Sequence, residues 1–77
     1  MTKRVRIKLI WSAEDKIWYS ESMDDKLGIV LESDSVDTLI ERVKIAVPEL
    51  VRKNGHLGEV DLSFEIERTD KLNTMDL

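Results

Sequence analysis

The chain has no cysteine. Disulfides, thiol nucleophiles and thiolate metal sites are therefore excluded. It has one histidine, His56, which excludes a multi-histidine metal centre and leaves a Ser/His pair just one candidate base. No apolar run approaches the roughly 20 residues needed to span a bilayer. Residues 1–11 lack the continuous apolar stretch and the cleavage site of a secretory leader. Excess positive charge is missing too: the net charge is −4, against the clustered Lys and Arg that phosphate binding requires. These absences point to a cytoplasmic binding module with no cofactor and no membrane or direct nucleic-acid contact. At 77 residues there is room for one domain, with a modest core and no covalent staple. Self-association is a common remedy, so a homodimer or larger homo-oligomer is expected.

What is present is strong periodicity. In Lys3–Trp11, Val5, Ile7, Leu9 and Trp11 share one parity, while Arg4, Arg6 and Lys8 share the other. That alternation predicts a strand with one wet face. Ser12-Ala13-Glu14-Asp15 has hairpin-turn composition. Lys16–Ser22 predicts a second strand, and Gly28–Glu32 a short third one. From Val36 the period changes: Val36, Leu39, Ile40, Val43, Val47, Leu50 and Val51 follow steps of three and four. This is an amphipathic helix. Ser35 is its N-cap, with Asp34 as competitor, and Asp37 suits the first turn. Arg52 and Lys53 suit the last turn, and Asn54-Gly55 supplies a left-handed stop. Pro48 implies either a kink or the start of a second helical piece over 48–53. Glu59–Glu67 alternates cleanly and predicts a final strand.

The order is β-β-β-α-β, an α+β domain. Three strands on short connections suggest an antiparallel meander, and the helix crosses over to return the chain to the same sheet. Basic Arg4, Arg6 and Lys8 complement acidic Asp61, Glu65 and Glu67 across neighbouring strands. The fourth strand is therefore expected beside the first, in a mixed four-stranded sheet of order 3-2-1-4 with the helix on one face. The domain spans residues 1–68, and residues 69–77 form a flexible tail.

Taken together, these segments resemble the HicB-like antitoxin family, in particular its short stand-alone relatives. The resemblance covers residues 5–67. It rests on the Trp11 strand end, the acidic hairpin Glu14-Asp15, and Trp18 opening the second strand. It continues through Glu21-Ser22, Asp24-Asp25 and Gly28, the junction Glu32, Ser35, Asp37 and Leu39, and the helix ending Val47-Pro48-Glu49-Leu50 with Asn54-Gly55. Leu27 departs from the family, which usually has proline there. The resemblance implies a truncated ribonuclease-H-like fold that masks a small basic toxin ribonuclease. Family members that bind operator DNA do so with an added C-terminal segment. None is expected in the ten residues after the last strand.

Catalysis is not expected. Ribonuclease-H-type chemistry needs carboxylates converging on metal, one of them on the first strand, yet residues 3–11 contain no Asp or Glu. Asp24 and Asp25 read as turn formers rather than a metal pair. His56 reads as a helix-terminal residue rather than a general base. The serines lack any nucleophile motif. The expected partner-binding residues are Glu14, Asp15, Trp18, Glu21, Asp24, Asp25 and Glu32. Trp18 and Tyr19 point to opposite faces, so only one can join the core beside the helix. Gly28, Ile29, Val30 and Leu31 form an uncharged edge expected to pair between two copies. Two roles remain: a module that masks a toxin, or a self-assembling domain that binds another protein or a small ligand.

Overall fold

A computed structural model describes residues 2–23 and 28–76. The strands are β1 (Lys3–Ser12), β2 (Ile17–Ser22), β3 (Glu32–Ser33) and β4 (Val60–Glu67), with helix α1 (Val36–Lys53) between β3 and β4. They form one sheet of order β3-β2-β1-β4. β1 pairs antiparallel with β2 and parallel with β4, as the long helical crossover allows. The expected fold and strand order are the observed ones.

Parity decides which face is buried. Val5, Ile7 and Leu9 of β1 are fully buried and meet Leu39, Val43, Val47 and Val51 of α1 in one cluster. The helical members recur every four residues, so they lie on one stripe. Trp18 joins them from β2, and Ile29 from the loop before β3. The opposite parity carries Arg4, Arg6 and Lys8 to a sheet face that no helix covers.

Helix α1 begins as expected. The Ser35 hydroxyl accepts the Thr38 N–H at 3.4 Å, and Asp37 stands in the first turn. It ends in a Schellman closure. The His56 N–H donates to the Val51 carbonyl and the Gly55 N–H to the Arg52 carbonyl, with Gly55 at φ +89°. Of the two expectations for Pro48, the second piece is not seen: the helix runs unbroken from Val36 to Lys53. Pro48 lies on the exposed face, where water can satisfy the carbonyl it orphans. Burial of Val47 and Val51 on either side, at about 1.5–3 kcal/mol each, offsets the roughly 3 kcal/mol such a proline costs.

The third strand differs from expectation. It is confined to Glu32–Ser33, and Gly28–Leu31 is not strand. The Ser20 N–H donates to the Leu31 carbonyl at 2.9 Å, as a ladder would require. The Leu31 N–H, however, goes to the Ser20 hydroxyl at 2.9 Å. A side chain thus ends the ladder, and Gly28 at φ +58° turns the chain away. The second strand starts at Ile17 rather than Lys16, which holds the left-handed φ of +53° that closes the hairpin.

The molecule measures 55 × 19 × 18 Å. A ten-residue strand spans roughly 33 Å and an 18-residue helix about 27 Å. The residues after β4 begin at Arg68. They end in a 3-10 turn at Thr74–Asp76, with Leu72 and Met75 exposed.

Candidate protein-binding surface

The open face of the sheet carries an ordered charge pattern. Register sets Arg4 opposite Asp61 and Lys8 opposite Glu65 on β4. On the other side it sets Lys8 opposite Glu21 on β2, and Tyr19 of β2 opposite Glu32 of β3. A central basic row is therefore bracketed by acidic rows. These neighbours do not close into ion pairs. Among the described residues the two pairs within 4 Å are Lys44–Glu41 and Arg68–Asp70. Attraction across the rows is thus screened and modest, ~0.2–1 kcal/mol per neighbouring pair. The acids on this face are Glu21, Glu32, Asp61, Glu65 and Glu67, and the cations are Arg4, Arg6 and Lys8, so the face is acidic on balance.

The expected partner-binding residues do not form one patch. Glu14 and Asp15 are exposed at the β1–β2 hairpin tip. There the Asp15 N–H donates to the Ser12 hydroxyl at 3.4 Å. Glu21 is exposed at the other end of β2, roughly 20 Å away. Glu32 is exposed on β3, and its carbonyl accepts from Arg42 Nη1 at 2.8 Å. Asp24 and Asp25 lie outside the described residues. Trp18 is 8% exposed and belongs to the core. Packing beside the helix leaves it little surface for a partner, and Tyr19 is the residue that faces outward.

Around Trp18 the structure shows a cluster the sequence reading did not assemble. The Trp11 and Trp18 rings lie 5.4 Å apart, tilted by 55°. The Arg68 guanidinium sits 4.5 Å above the Trp11 ring centre and 5.9 Å from that of Trp18. Asp70 orients it through Oδ2, 2.9 Å from Nε. Ile10 pairs with Glu67, the last residue of β4, which brings Arg68 just beyond the strand close to Trp11.

The remaining polar candidates hold the fold together. His56 is half-buried and its Nε2–H donates to the Glu59 carbonyl at 2.9 Å. That carbonyl also accepts the Lys3 N–H at 2.9 Å, which ties the crossover to the start of β1. The adjoining cleft, between Pro48, Arg52, His56 and Leu57, holds about 120 Å³. Small-molecule sites usually need about 300 Å³ or more. Ser20 and Ser33 are buried and accept backbone N–H groups from Leu31 and Ser35. No cluster of three His, Asp or Glu placed to hold a metal occurs among the described residues. No helix among them is long and apolar enough to cross a membrane.

Fold and surface together define a small α+β domain, with a sheet covered by one helix on one side and a striped, charged face on the other. The chain belongs to the family described as a domain of unknown function, DUF1902, whose model matches residues 4–75. That match extends through most of the segment beyond β4. Among solved structures the chain is similar to a hypothetical protein, TTHA1013, from the extremely thermophilic bacterium Thermus thermophilus. The two are 28% identical with a TM-score of 0.66, over 92% of this chain and 99% of that one. No curated protein matches the sequence.

Proposed function

We propose that this chain is a non-enzymatic, cytoplasmic protein-binding module of the HicB-like, antitoxin-like kind, which masks a small basic toxin ribonuclease. One observation carries the reading: the uncovered sheet face is bounded on both sides by exposed acids, Glu21 and Glu32 on one flank and Asp61, Glu65 and Glu67 on the other. These five acids outnumber the three cations between them, Arg4, Arg6 and Lys8, so the surplus field is negative. It steers and orients a cationic protein and disfavours a nucleic acid. Glu14 and Asp15 extend the same sign to the hairpin tip. Masking needs no cofactor and no reacting group, only occlusion of the partner's RNA-binding surface. The test is co-expression of this chain with the small basic protein encoded beside it. Rescue of growth and co-purification as a complex are expected. A host with no such neighbour, or continued toxicity with both chains made, overturns the reading.

A second reading is a self-assembling domain that binds another protein or a small ligand. It is favoured by Val30, 71% exposed on the Gly28–Leu31 segment. Light scattering of wild type and Val30→Lys distinguishes the two: a dimer that the substitution splits supports self-assembly through this edge, and a monomer at high concentration removes it.

A further inference from the structure

Among the described residues the outer edge of β4, eight residues long, is the longest sheet edge with no strand beyond it. β4 pairs along its length with β1, and among the described residues no strand lies beyond it. The opposite edge, β3, has two residues. The core cluster draws buried residues from α1, β1 and β2, while β4 adds only the partly buried Val60, Leu62 and Phe64. The helix-side row of β4 is thus incompletely covered: Leu62 and Phe64 are half-buried and Ile66 is 59% exposed. On its other face β4 presents Asp61, Glu65 and Glu67, all exposed.

An occupant of this edge must bring backbone groups for the ladder, apolar side chains for one face and cations for the other. The molecule already holds such an element. On the inner edge of β4 lies β1, whose Arg4 and Lys8 face Asp61 and Glu65, while Val5, Ile7 and Leu9 run beside Leu62, Phe64 and Ile66. A second copy of β4 does not meet the requirement. The two longest antiparallel two-fold registers of β4 on itself set Asp61 opposite Glu65 or opposite Glu67, and like charges facing each other across strands are destabilising.

We infer that the free edge of β4 accepts an extended segment of a partner protein in which Lys or Arg alternates with aliphatic residues, adding a fifth strand beside Asp61, Glu65 and Glu67. Backbone pairing supplies affinity, and the acidic row supplies selectivity for cations. This deepens the reading of the chain as a module for a basic protein, by naming the edge and the sequence pattern it takes.

The test uses a fluorescent peptide with the sequence of residues 3–12 of this chain, titrated into the isotope-labelled full-length protein. Saturable binding that weakens with salt is expected, with amide shifts concentrated at residues 60–67. A peptide carrying Glu at the positions of its three alternating cations, Arg4, Arg6 and Lys8, should not bind. The triple variant Asp61→Asn, Glu65→Gln, Glu67→Gln should bind on the order of tenfold more weakly. No binding, equal binding of the acidic peptide, shifts centred on residues 28–33, or a native dimer with residues 60–67 at its seam each overturns the inference. If the triple variant fails to fold, the acidic peptide and the shift map still decide. The broader reading fails separately. A triple variant that neutralises a toxin as well as wild type removes this edge and leaves masking intact. Peptide binding here with no basic partner in the host does the reverse.

Discussion

Arg68 lies across Trp11, with its guanidinium carbon 4.5 Å from the ring centre, and so joins the end of β4 to the end of β1. The contact is partly solvated, because the Arg68 side chain is about half exposed. A cation on an aromatic face at such a site contributes about 0.5–1 kcal/mol. Arg68→Ala should lower the midpoint of urea unfolding accordingly and change the tryptophan emission of the folded state. Arg68→Lys should recover part of the loss, since it keeps the charge but not the planar stacking. Unchanged emission in the alanine variant would show that Trp11 and Arg68 do not meet in solution.

Ser20 is 1% exposed and its hydroxyl receives the Leu31 N–H. Ser20→Ala leaves that amide without its partner in a partly buried place. A loss of about 1–3 kcal/mol is expected. Hydrogen exchange gives the sharper readout: the Leu31 amide should exchange faster than in wild type by more than the global loss explains. Equal acceleration at all amides would deny the hydroxyl its local role.

Leu39 is fully buried where the first turns of α1 meet the sheet. Truncation there opens a cavity as well as removing apolar contact. Leu39→Ala should cost about 2–5 kcal/mol, a large share of the stability of so small a domain. Thermal melts followed by far-ultraviolet circular dichroism should show a strongly lowered midpoint or an unfolded chain at growth temperature. A shift of only a degree or two would contradict the packing described.

Gly55 holds φ at +89° and a Cβ placed there meets nothing within 4 Å. The penalty for Gly55→Ala is therefore conformational alone, about 1 kcal/mol. Gly55→Asn should lose less, because asparagine tolerates the left-handed region better. If the two variants melt together, the helix does not end in solution as it does here.

How much of this was legible in the residues depended on whether one face of an element is buried. β1 and β4 announced themselves because Val5, Ile7 and Leu9, and Leu62 and Phe64, alternate with charge. The helix did so because Leu39, Val43, Val47 and Val51 return every four positions. Charge complementarity between Arg4 or Lys8 and the acids of β4 then placed the last strand correctly. Gly28–Leu31 resisted because a short uncharged run has no period, and its pairing stops at a hydroxyl from another strand. Trp18 resisted for another reason. Parity separates it from Tyr19 but does not say which of them the helix will cover. The acidic row of β4 was visible throughout, and the expected strand order already made β4 an outer edge; what the sequence did not show is that Leu62, Phe64 and Ile66 stay partly uncovered there.

The parallel pairing of Lys3 with Val60 has a consequence for how the protein is made. During synthesis the hairpin of β1 and β2 is made before the helix, yet the neighbour that completes β1 is made only after it. Until residues 60–67 emerge, one flank of that hairpin is bare and oily, and no local contact can close it. The interval between hairpin and closing strand is a natural window for chaperone capture and for misassembly between neighbouring polysomal copies.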